Sequence, residues 1–272
     1  MSVPLKLVDW IPESKLDWRS LSRNPNAIHL LEKNPEHIYW SWLSMNPNAK
    51  AVALLEKNTD RIDWEQLSRN PNDRAIKILE KNPEKIDWYY LSKNPNAIEL
   101  LEKNPEKIDW RQLSLNPNAI ELLERNIEKI DWVYLSENPN AMSLLEQFPE
   151  RIEWYGLSHN THPNAVDLLE QFPDRISWWA LSANKNAVHL LEHNIEKIAW
   201  NWLMLNPNAM KLIENNQDRI HWGCLSENPS IIEVDYPLMA KERNAVILQE
   251  LVEVTWHPER MVEWCLEYDF EL

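Results

Sequence analysis

Histidine, glutamate and serine are the residues of this chain best equipped for chemistry, and their spacing argues against it in each case. His189 and His193 stand at i, i+4 beside Glu192, which on a helix would aim two imidazoles from one face toward a metal. Two ligands do not close a zinc site, which takes three or four. The segment also lacks the glutamate that directly follows the first histidine in HExxH. His159 and His162 flank a two-residue insertion and read as loop residues. Glutamate recurs once per unit, at Glu32, Glu56, Glu80, Glu102, Glu124, Glu146, Glu170, Glu192 and Glu214. Such a row of like charges about 10 Å apart repels by roughly 0.4 kcal/mol per pair before screening, and reads as a solvated face. Neighbouring Lys33, Lys57, Lys81, Lys103 and Arg125 should offset it in the first half. Serine recurs in an LS dipeptide, as a structural position. With two glycines in the chain, Gly156 and Gly223, neither GxGxxG nor a P-loop can be written. The expectation is no enzyme: no catalytic residue, no metal and no cofactor.

What varies from unit to unit is the pair of residues after a recurrent tryptophan. Apart from Arg19, eight of those positions carry Trp, Tyr or Arg: Trp42, Tyr89, Tyr90, Arg111, Tyr134, Tyr155, Trp179 and Trp202. These are the types favoured at interface hot spots. They are the candidate partner-binding residues, and protein–protein interaction is the function they suggest. Packing between neighbouring units is the competing reading of the same side chains.

The elements that must position them follow from the tryptophans themselves. Trp18, Trp40, Trp64, Trp88, Trp110, Trp132, Trp154, Trp178, Trp200 and Trp222 are spaced by 22 or 24 residues throughout. A fixed period of this length marks a stacked repeat protein. The fold class expected is all-α, a solenoid of about ten 22–24-residue helical hairpins. In the copy from Ile86 to Lys107, IDWYYLSKNPNAIELLEKNPEK, Asn94 can cap a helix whose first turn accepts Pro95. Ala97, Leu100 and Leu101 share its inner face at i, i+3, i+4, and Pro105 ends it. A single turn at Pro105–Ile108 then leads to a short helix capped by Asp109, with Trp110 and Leu113 facing inward. Helices this short are marginal alone and form when stacked. The tryptophans are expected to run as a rung through the core, with the recurrent Asn and Ser as acceptors for their indole N–H groups. The asparagines from Asn24 to Asn228, one per unit, should bond loop backbone from layer to layer.

Ten layers at about 8–10 Å each predict a rod or arc on the order of 80–100 Å long, whose ends need polar covers. Residues 1–16 are the expected N-terminal cap, 17–229 the tandem repeats, and 230–272 an acidic helical C-terminal cap. That cap should hold one helix from about Asp235 to Val254 and another from His257-Pro258 through Leu266. The net charge of −15 argues against nucleic-acid partners, whose backbone is held by Lys and Arg. Cys224 and Cys265 are the two cysteines, a scattered pair that fits a reducing compartment. Met1 to Trp10 contains no signal-like apolar run, and no 18 consecutive apolar residues occur. An intracellular location without membrane insertion is expected.

The unit LSxNPNAIxLLExNPEKIDW resembles the short asparagine-rich helical repeat of large nucleocytoplasmic DNA viruses (giant viruses), densely over residues 17–229. The segment WHPERMVEWCLE, Trp256 to Glu267, is similar to a closing HPxR segment of such proteins. The resemblance implies a viral interaction protein, or a structural virion component such as a minor capsid or scaffold protein. Its partners would then include other virion proteins, and its place would be the host cytoplasm or the particle.

Overall fold

The structure, a computed structural model, describes residues 3–255 and 260. It is an all-α solenoid of ten repeats, numbered here from the tryptophan that opens each. Repeat 5 shows why the sequence folds this way. A 3-10 turn at Pro105–Lys107 delivers the chain to a helix at Trp110–Ser114. Asp109 caps that helix, its carboxylate accepting from the Gln112 N–H at 2.8 Å. A second short helix follows at Ile120–Glu124. The longer insertion-bearing copies differ in this second helix alone. It runs Ala49–Lys57, Asp73–Glu80 and Pro163–Gln171, capped by Asn48, Asn72 and His162. The two extra residues extend the helix at its start and leave its apolar end in register.

The core differs from expectation in its centre of gravity. Leu113, Ser114, Asn116, Ala119 and Leu123 are fully buried, whereas Trp110 is half-buried, as is every recurrent tryptophan. The leucine three residues on, with the alanine and leucine of the second helix, fills the interior. The indole covers one edge of that interior beneath a cation from the 3-10 turn that leads into the next repeat. Lys129 lies 4.4 Å from the Trp110 ring, Lys197 4.5 Å from Trp178, and Arg61 and Arg219 5.0 Å from Trp40 and Trp200. Nor do Asn and Ser serve the indoles; they hold backbone. In repeat 5, Asn116 donates to the carbonyls of Ser92 and Asn94 in the preceding repeat, at 3.0 and 2.8 Å, and accepts from the Asn118 N–H. Ser114 donates to its own helix at the Trp110 carbonyl and accepts from the N–H of Asp131, the residue that caps the first helix of the next repeat. The ladder of asparagines is therefore real, and serines form a second one beside it. Met204 replaces the serine in repeat 9 and is fully buried.

Both ladders continue from repeat 10 back to repeat 1. Asn24 of repeat 1 donates to the carbonyls of Ser226 and Asn228 of repeat 10, at 3.0 and 2.8 Å. The Asp17 N–H donates to Ser226 Oγ at 2.9 Å, and Asn26 to the Pro229 carbonyl at 2.9 Å. Arg23 pairs with Glu227 at 2.9 Å. Repeat 1 thus sits on repeat 10 as each repeat sits on its predecessor, and the solenoid closes into a ring. The open rod is corrected: the faces that would have ended it cover each other.

The chain divides into two compact units, residues 9–231 and a second made of 1–8 with 232–272. The first is the ring. In the second, strand β1 (Leu5–Leu7) pairs antiparallel with β2 (Ile232–Val234), Lys6 reaches Glu233 at 3.3 Å, and a helix spans Tyr236–Thr255. The segments expected as caps are therefore joined to each other. The helix expected from His257 lies outside the described residues. Among those described, no helix is long and apolar enough to cross a membrane.

Candidate functional site: the inner wall of the ring

Closure gives the ring an inside. Arg23, Met45, Arg69, Lys93, Leu205 and Glu227 come from six repeats and line one hollow, of about 460 Å3. Each occupies the same place in its unit, between the buried Ser (Met204 in repeat 9) and the ladder Asn. Electrostatics agrees with convergence: Lys93 senses Arg23 three repeats away, and the charge of Glu137 reaches Lys93, Tyr155 and His159. On the first helix the residue two before the core leucine points nearly opposite to it, as does the residue two after it, and the residue just before it lies about 100° round. The variable residues therefore share this wall.

The eight candidate residues fall on the wall as small groups, each spanning neighbouring repeats. Tyr155 stacks on Trp179 at 5.8 Å between centroids, and Trp179 meets Trp202 edge-on at 4.1 Å. His159 closes this cluster, 6.1 Å from Trp202. Gly156 lets its helix approach the preceding repeat closely, since a Cβ there would lie 2.6 Å from the Val133 carbonyl oxygen. Tyr89 and Tyr90 meet edge-on at 4.9 Å, and Gln112 donates to the Tyr89 hydroxyl at 2.9 Å. Arg111 lies 4.7 Å over Tyr134, and Arg19 and Arg23 lie 5.1 and 5.8 Å over Trp42. Arg69 packs on Tyr90 at 3.4 Å.

Exposure separates two classes. The first residue after the tryptophan projects outward from the wall: Tyr155, Trp179 and Tyr89 are 48%, 43% and 43% exposed, and Arg111 is exposed. The second residue, in Trp42, Tyr90, Tyr134 and Trp202, is half-buried against its neighbour. Packing between layers thus accounts for one column, and the other is left open to solvent.

The residue between Ser and Asn was the functional position that the sequence reading passed over. Its signal was available, because it reads Arg, Met, Arg, Lys, Leu, Glu, His, Ala, Leu and Glu through the ten repeats. Burial acts on its titrating members. It lowers the pKa of Lys93, with Arg69 adding to the effect and Glu137 opposing it, and lowers that of His159. It raises that of Glu227 against the pull of Arg23.

The histidine pairs come apart. His159 belongs to the wall, while His162 caps a helix. His189 Nε2 sits 2.7 Å from Glu170, and His193 Nδ1 2.7 Å from the His189 carbonyl. The glutamate row is offset by the following repeat rather than by adjacent lysines: Lys50 pairs with Glu32 and Arg125 with Glu102, both at 3.3 Å, and Arg74 with Glu56. No family model, no curated protein and no solved structure matches the chain.

Proposed function

We propose that the ring is a non-catalytic interaction module that holds a segment of a protein partner against its inner wall. The observation that carries this reading is the cluster of Tyr155, Trp179, Trp202 and His159, large rings left partly in water on a concave surface. Each exposed ring leaves apolar area that a partner could cover for about 1–3 kcal/mol. Two-χ aromatics backed by neighbouring repeats lose little entropy when they do so. In the form implied by the repeat's resemblance, the partner is another viral protein, and copurification with particles would separate a virion component from a free adaptor.

The test is a double variant, Tyr155→Ser with Trp179→Ser, beside the parent in crosslinking and mass spectrometry from the native host cell. Both side chains are exposed enough that the melting temperature should move by a few degrees at most. Loss of the crosslinked partner at retained fold supports the proposal. A partner that is captured equally by both chains overturns it.

A further inference from the structure

The opposite arc of the wall has another chemistry. Arg23, Arg69 and Lys93, from repeats 1, 3 and 4, line the 460 Å3 hollow together with Pro25, Pro47, Pro71 and Met45. One acid shares it, Glu227, and that carboxylate is held by Arg23 at 2.9 Å. We infer that these three cations form a binding site for a small, multiply charged phosphate compound.

Four observations lead there. The first is an imbalance of sign: in a chain of net charge −15, cations gather at the position where chance would put acids. Like charges brought together and partly desolvated repel, and an anion between them removes that repulsion. The second is preorganisation. Arg69 and Lys93 lie 3.4 and 6.0 Å from the Tyr90 ring, and Arg23 5.8 Å from Trp42, so the heads are held before a ligand arrives. The third is unfilled hydrogen-bonding capacity. Arg69 Nε makes no hydrogen bond, and Arg69 Nη2 reaches Glu65 at a long 3.5 Å. A guanidinium in that state suits phosphate oxygens, which it can engage with two parallel donors, while Lys93 supplies a point charge. The fourth is size, since a few hundred Å3 is the scale of a small-molecule site.

Charge density decides between candidate anions. A peptide carboxylate brings one charge per residue, and matching three cations with several would require more chain than the hollow holds. A nucleic-acid strand would have to approach past an acidic surface, whereas a compact polyphosphate concentrates its charge within one small group. This site does not depend on the aromatic arc or on whether a protein docks there.

The experiment is calorimetric titration of the full chain with sodium tripolyphosphate at fixed ionic strength, with inorganic phosphate and an oligoglutamate peptide as comparison probes. The expected result is saturable binding of one tripolyphosphate per ring, weaker binding of phosphate, and none of the peptide. Lys93→Met should weaken tripolyphosphate by about tenfold or more, the scale of one charge-assisted contact. Lys103→Met, on the outer face, should leave it unchanged. Arg69→Gln provides a second reading, with circular dichroism to confirm the fold. Absence of saturable binding, equal binding to the Lys93→Met chain, or preference for the peptide would each overturn the inference.

Discussion

Asn116 makes three hydrogen bonds in a site from which water is excluded, two of them to carbonyls of the repeat before it. Truncating it strands those carbonyls, and Asn116→Ala should cost about 3 kcal/mol. Leu113→Ala, at a fully buried position, should cost about 3–4 kcal/mol by the cavity it leaves. Trp110→Ala should cost less, about 2 kcal/mol, because part of the indole is already in water beneath Lys129. Chemical denaturation of the three variants gives the order; a tryptophan more costly than both others would restore it to the core. The asparagine was readable from sequence because a short amide repeated in NPN has few other uses. The tryptophan was misplaced because invariance alone does not tell a core position from a half-covered edge. His159 adds a pH effect. Its pKa is depressed in the fold by burial, more than Glu137 restores. As pH falls through the unfolded value of 6.5, the unfolded chain takes up the proton first, so stability declines with acid. His159→Gln should flatten the fall in melting temperature between about pH 7 and 5, leaving the share of His29, which burial also lowers. An unaltered slope would remove His159 from this role.

The helices were legible because each carries its own punctuation. Asp109 caps as expected, the helix Ile98–Glu102 stops ahead of Pro105, and Ile108 sits apart from the Trp110 helix. Less legible was the form of the NPNA stretch, which in repeat 4 is a 3-10 turn at Pro95–Ala97 before the α-helix Ile98–Glu102. An early proline is compatible with both forms, and the tertiary fit chooses. The two-residue insertions test this account. Deleting Asp73-Arg74 should convert repeat 3 to the shorter type at a cost of about 1 kcal/mol or less, since what is lost is the exposed Glu56–Arg74 pair and an exposed bond from Asn96 to Asp73. Adding two residues inside Trp64–Ser68 instead would turn Leu67 away from the core by about 160°. Thermal melts of both variants decide; a shorter repeat 3 that unfolds would mean the insertion is needed for the layer.

At the scale of the ring, sequence could give the unit and its number but not closure. Ten units share one full turn, about 36° each, and a few degrees per unit separate a ring from an open spiral. That angle is set by how closely side chains such as Ala119 and Gly156 let layers approach, and no local pattern encodes the sum. Closure predicts intolerance of count. Removing one clean unit, Ile108–Lys129, should leave a gap that nine units cannot span, giving oligomers by light scattering in place of a monomer. An open solenoid would simply be shorter and slightly less stable, and that outcome would refute the ring. The two directions of the asparagine ladder also have a kinetic meaning. In a linear stack the terminal layers break one interface to detach, so they fray and their amides exchange with solvent fastest. Here every layer must break two. Deuterium uptake should therefore be level around the circle, with the amides of Asn24 and Asn228 as slow as that of Asn116, and a protein built from marginal helices would have no weak end at which to begin unfolding.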